Sequence, residues 1–170
     1  MYKVDEIILY DTEGVCRISE ITEKTFGGKK QKYYILNTVS KNSMTIYVPV
    51  DNEKQTSKMR KILSSDEIYK LIRNMPNEDL IWIENDGERK ETYKQIIQSG
   101  DRRGLIKIIR TLHFQKEQLT KQGKKLHMSD EQFMKSAQKI LHEEFSHVLK
   151  IEPNQVIPFI VNELKIEHAN

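Results

Sequence analysis

The spacing of apolar residues divides the chain into two textures. Through the first fifty residues the apolar positions are β-branched or aromatic and fall in short runs: Ile7-Ile8-Leu9-Tyr10, Val15-Cys16-Arg17-Ile18, Tyr33-Tyr34-Ile35-Leu36 and Met44-Thr45-Ile46-Tyr47-Val48-Pro49. Runs of this kind separated by turn residues predict strands. Gly14 punctuates the first pair. Gly27-Gly28 marks a hairpin, because two glycines accept positive φ without strain. Asn42-Ser43 is expected to turn the chain before the last run. About five short strands in so little sequence predict a small, strongly bent sheet or barrel.

Beyond the polar stretch Asp51 to Lys58 the apolar spacing changes to three and four. Ser64 and Glu67 have capping-box spacing ahead of Ile68, Leu71 and Ile72, which predicts a helix ending near Asn74, before Pro76. A second helix is expected over Arg89 to Gln98, with Tyr93, Ile96 and Ile97 on one face, broken at Ser99-Gly100-Asp101. A longer one carries Leu105, Ile108, Ile109 and Leu112 inward and ends by Gly123. Ser129 to Gln132 is expected to cap a fourth, whose stripe is Phe133, Ala137, Ile140, Leu141 and Val148. Pro153 suits the first turn of a last helix, which Pro158 is expected to shorten or kink. The fold class is therefore α+β: a β-rich domain over residues 1–57 and an all-helical domain over residues 58–170.

The net charge of +3 becomes informative once it is located. Residues 1–57 and 58–85 are each neutral. Residues 86–125 hold 11 basic against 5 acidic residues, a net +6, and residues 126–170 are at −3. The excess suggests a polyanion-binding surface on one segment, set against the plainer reading of a solvated helical face. Within it Lys90 and Lys94 share a helix face, and Arg103, Lys107 and Arg110 form a stripe. Arg102 and Arg103 stand in a first helical turn, where free N–H groups also favour anions. Such cations bind phosphates without reading sequence. Trp82, the single tryptophan, is either a core residue between helices or an apolar wedge against bases.

Catalytic signals are missing. Lone Cys16 excludes a disulfide scaffold and reads as a buried hydrophobe. His142 and His147 are five apart, which does not bring two imidazoles to one helix face, so no metal site is expected. Gly27-Gly28-Lys29-Lys30 lacks the ending of a phosphate loop, and Glu143-Glu144 diverge by about 100° on a helix. No run is long and apolar enough for a membrane span, and the first residues do not resemble a signal peptide. No cofactor and no enzymatic activity are expected, and the expected place is the cytoplasm.

The order of parts resembles the CarD/CdnL family of bacterial transcription regulators over most of the chain. Four stretches carry the likeness: Tyr10 to Gly14; Lys30 to Leu36 followed by Met44 to Pro49; Ser99-Gly100-Asp101 with Ile108-Ile109-Arg110-Thr111-Leu112; and Ala137 to Leu141 with Glu144. The resemblance implies an N-terminal Tudor/SH3-like barrel, shared with the transcription-repair coupling factor, that binds the RNA polymerase β subunit. It implies a helical domain on promoter DNA upstream of the −10 element that stabilises the open complex, largely without sequence readout. The family's polymerase-binding edge matches Met44, Thr45, Ile46, Tyr47 and Val48, with Lys24 as a further basic position. Many members have arginine where this chain has Tyr47. Arg89 and Lys90 match a basic patch of the family, which with Lys94, Arg102, Arg103, Lys107 and Trp82 makes the expected DNA face. Counting back without gaps from Ser99 puts the family's DNA-wedging tryptophan at Asp86, four residues after Trp82, and Asp11 stands where the family's turn has proline. Two rival readings stand beside this one: a polymerase-binding adaptor without DNA contact, and a nucleic-acid-binding protein unrelated to polymerase.

Overall fold

The computed structural model describes the backbone of residues 1–169 and the side chains of residues 1–164. It divides into two compact units, Met1–Ile62 and Leu63–Asn170.

The first unit is an antiparallel five-stranded sheet. Its strands are β1 (Ile7–Tyr10), β2 (Gly14–Phe26), β3 (Lys29–Thr38), β4 (Thr45–Pro49) and β5 (Met59–Lys61), in the order β4-β3-β2-β1-β5. A one-turn helix, α1 (Glu53–Thr56), separates β4 from β5. Gly27 and Gly28 both take positive φ, 55° and 78°, and join the two longest strands directly. The register slips between Ile18 and Glu20, a bulge that bends β2. One face of the sheet carries the core: Ile8, Tyr10, Cys16, Ile18, Tyr34, Leu36, Val48 and Met59. Strand β5 lies past the polar stretch that the sequence suggested as the junction, and pairs with β1 through Met59, Arg60 and Lys61.

The second unit is helical: α2 (Ser65–Asn74), α3 (Asp86–Ser99), α4 (Arg102–Lys121), α5 (Met128–Leu149) and α6 (Val156–Ala169), with 3₁₀ turns at Met75–Asn77 and Pro153–Gln155. Ser64 and Glu67 cap α2 reciprocally, as their spacing predicts. Gly100, at φ 66°, ends α3, and the Asp101 carboxylate accepts from Arg103 N–H to start α4. The core is formed by Ile68, Ile72, Tyr93, Ile97, Leu105, Ile108, Leu112, Ile140, Phe145 and Val156.

Three boundaries differ from expectation. Helix α3 begins at Asp86, three residues early, because Asn85 accepts from Glu88 N–H and caps it. Helix α5 begins at Met128 without a side-chain cap, so Ser129 lies inside the helix and Asp130 is turned into the core. Pro158 does not interrupt α6. It is the helix's third residue, where the missing N–H has no intrahelical acceptor to satisfy.

Candidate functional site

Each unit presents one candidate surface. In the sheet, the Gly27-Gly28 hairpin fixes the register Phe26↔Lys29, Lys24↔Gln31 and Thr22↔Tyr33, and β4 adds Tyr33↔Pro49, Ile35↔Tyr47 and Asn37↔Thr45. Paired residues share a face. Lys24, Phe26, Tyr33, Ile35, Thr45 and Tyr47 therefore lie together on the face opposite the core, while Ile46 and Val48 point into the core. Met44 is exposed just before the strand, where its N–H donates to Thr38 Oγ1 at 2.8 Å. Strand β4 is a sheet edge. Thr38 N–H donates to Met44 O and Val50 N–H to Lys32 O. By antiparallel alternation the bonded pairs are then Leu36↔Ile46 and Tyr34↔Val48, and the N–H and C=O of Thr45 and Tyr47 point outward.

In the helical unit the expected basic face is largely an internal ion-pair network. Arg89 is 1% exposed. Its Nε and Nη2 donate to the two Asp130 oxygens at 3.0 and 2.9 Å, Nη2 also reaches Asp86 at 2.7 Å, and Nη1 reaches the Ile83 carbonyl at 2.8 Å. Hydrogen bonding to Asp130 raises the Arg89 pKa above its ordinary value, and the bond from Arg89 lowers that of Asp86. Arg102 clasps buried Glu144 through Nε at 3.0 Å and Nη2 at 2.7 Å. Arg103 Nε donates to Glu78 at 2.8 Å, and Lys107 approaches the same carboxylate at 3.8 Å. The bond from Arg103 lowers the Glu78 pKa. Arg110 donates to the carbonyls of Met75 and Glu78. Lys90 and Lys94 are exposed and four apart on α3, and the charge of Lys90 contributes to lowering the Asp86 pKa. Of the seven DNA-face residues named from sequence, the structure thus leaves Lys90 and Lys94 open to solvent, buries Arg89 and most of Arg102 against carboxylates, and holds Arg103, itself 67% exposed, and half-buried Lys107 on Glu78.

Trp82 answers to neither simple description. It is half-buried in the irregular segment between Asn77 and α3, with the Arg89 guanidinium 4.4 Å from the ring centroid. Its backbone neighbours are pinned. Ile81 N–H donates to Thr111 Oγ1 at 2.7 Å, Tyr93 O–H donates to Ile81 O at 2.6 Å, and Ile83 O accepts from Arg89. The indole Nε1–H donates to Glu84 at 2.9 Å. Asp86 binds the same guanidinium on which Trp82 rests. Sequence reasoning missed Asp130, Thr111, Glu78 and Phe26. The first three act across 25 to 41 residues of chain and leave no local signal. Phe26 was legible from its strand alternation with Lys24 across the Gly27-Gly28 turn.

Among the described residues no group of three or more His, Cys, Asp and Glu side chains could hold a metal ion. Among the described residues no helix is long and apolar enough to cross a membrane. His142 is half-buried on α5, and burial lowers its pKa.

The first unit is a five-stranded sheet with β4 at its open edge, and the second is helical. Family models match both parts: CarD-like/TRCF RID domain over residues 2–63, and CarD, C-terminal domain, over residues 67–160. The chain belongs to the CarD family, whose members are non-catalytic transcription factors that interact with RNA polymerase. The comparison with curated proteins returns no match.

Proposed function

We propose that this chain is a transcription regulator that binds the RNA polymerase β subunit through the β4 edge and promoter DNA near the −10 element through Trp82, Lys90 and Lys94, stabilising the open complex. The observation that carries the DNA part is the seating of Trp82. A lone tryptophan is stacked on a buried arginine, flanked by pinned backbone and partly open to solvent. An indole held this way has little freedom left to lose when it packs against a base, which favours a wedge. Arg89 is then a positioning residue beneath the wedge, and Lys90 and Lys94 are the phosphate contacts beside it. The polymerase part is supported by the RID match and by the outward backbone groups of Thr45 and Tyr47, which suit strand addition.

The adaptor reading without DNA contact has one observation in its favour. The indole N–H is occupied by Glu84, and Asp86 and Glu88 are exposed close by in sequence, a setting that repels phosphate. One experiment separates the two. Affinity of the full chain for a promoter fork is measured against salt. The proposal expects a log–log slope that falls by about 2 when Lys90 and Lys94 are both changed to Gln, since each phosphate contact adds about one to it. A flat dependence, or no change in the double variant, supports the adaptor.

A further inference from the structure

Three aromatic rings meet at the β4 edge. Phe26 and Tyr33 lie 5.3 Å apart by centroid, Phe26 and Tyr47 5.3 Å, and Tyr33 and Tyr47 6.3 Å, all edge-to-face. Tyr33 is buried beneath the other two, whereas Phe26 is 49% and Tyr47 44% exposed. These are the most exposed aromatic side chains of the sheet unit, and they adjoin its open strand edge.

We propose that Phe26, Tyr33 and Tyr47 form an aromatic seat for one uncharged, apolar side chain on the strand that docks along β4. The proposal rests on the polymerase-binding reading above and specifies the chemistry of that contact. A strand adding to β4 bonds to the outward groups of Thr45 and Tyr47. Its residue opposite Tyr47 has its Cα about 5.5 Å away and its side chain on the same face, against the ring cluster. Pro49 has no N–H to offer, so pairing ends two residues past Tyr47 and the docking strand is short.

The surroundings select the occupant. Arg17, Lys24 and Lys29 lie exposed on this face and outweigh Glu20, the carboxylate two strands from Tyr47 in its row, so the charge around the rings opposes a cation and they are not set up for cation–π capture. A carboxylate opposite Tyr47 would leave its hydration for ring edges, since the guanidinium on this face, Arg17, stands two strands away in line with Thr45 and is paired with Asp5 at 3.7 Å. An aliphatic or aromatic side chain covers the exposed parts of Phe26 and Tyr47 without desolvating a charge.

The test uses the full chain and the purified RNA polymerase core enzyme of the source organism. Binding is expected to weaken about tenfold or more in Tyr47→Ala, as for a central aromatic anchor, and by a few-fold in Phe26→Ala. Tyr47→Phe is expected to bind within about twofold of the parent, and Tyr47→Arg to bind more weakly despite its added charge. For the unaltered chain, Kd is expected to change less than about threefold across a tenfold range of salt, since a contact without ion pairs is little screened. This last measurement stands even if a variant fails to fold. Thr45→Pro removes an outward N–H at an edge position where proline is tolerated, and is expected to weaken binding on its own. If Thr45→Pro weakens binding while Tyr47→Ala does not, or if salt dependence is steep, the aromatic seat is overturned and strand addition stands. If the unaltered chain does not bind the polymerase, both readings fall.

Discussion

Arg89 shows how a charge can be needed without being displayed. A guanidinium carries five donors in a fixed fork, and here that fork meets Asp130, Asp86 and the Ile83 carbonyl while its face carries Trp82. Removing one partner leaves a buried charge uncompensated. Asp130→Ala is expected to cost about 3–5 kcal/mol, read from denaturant midpoints at constant slope. Arg89→Lys is expected to be poorly tolerated, because an ammonium neither pairs bidentately nor stacks flat on the indole. Thr111 is a quieter case. It is fully buried and its oxygen accepts from Ile81 N–H. Thr111→Val keeps the shape and orphans that donor, for an expected loss of about 1–3 kcal/mol. Trp82 fluorescence is expected to shift in both the Asp130 and Thr111 variants, since both hold the segment that carries it.

At the scale of elements, α3 and α4 pack closely where Gly104 stands. A Cβ there would lie 2.5 Å from Ile96 Cγ2 and 3.1 Å from Asp101 Oδ2. Ile96 is stiff at χ1 and Asp101 caps α4, so neither gives way freely. Gly104→Ala is expected to destabilise by about 1–3 kcal/mol despite alanine's better helix propensity. Tyr93, where α3 meets the segment bearing Trp82, makes stability depend on alkaline pH. Burial pushes its hydroxyl up to about 12 from an ordinary value of 10.0. Between these values the folded state holds a proton that the unfolded state has released, so stability falls as pH rises through that window. Tyr93→Phe is less stable at neutral pH by about 1 kcal/mol, having lost the bond to Ile81 O. Its deficit is expected to shrink from pH 10 to 12, and equilibrium unfolding across that range checks the sign. What the sequence made legible at this scale is local chemistry: the Ser64–Glu67 box, the Gly27-Gly28 hairpin, the glycine that ends α3. It misjudged Ser129 and Pro158 for the same reason. A capping signature cannot report that Asp130 is wanted in the core, nor that a proline will fall in a helix's first turn rather than its interior.

At the scale of the whole molecule, the sequence locates a +6 segment, and which of its cations stay open is not readable from charge alone. Charge counts cannot say which cations end on carboxylates. Glu78, Asp130 and Glu144 absorb Arg103, Arg89 and Arg102 from 25 to 42 residues away. What remains open on α3 is a narrow pair, Lys90 and Lys94, on the helix whose Arg89 carries Trp82. In the sheet unit the β4 edge was read as a strand, and its aromatic cluster emerges only when three strands are set in register. A protein with two such surfaces acts by mass action. If it binds the polymerase–promoter open complex better than the closed one, a coupling of about 1–3 kcal/mol raises the open population several-fold to over a hundredfold. The most direct test is the lifetime of the open complex after challenge with a polyanionic competitor, with and without the full chain. The account predicts a several-fold longer lifetime with the chain, lost in Thr45→Pro and reduced in both Trp82→Ala and the Lys90→Gln, Lys94→Gln double variant. An unchanged lifetime with a chain that demonstrably binds the polymerase would contradict it.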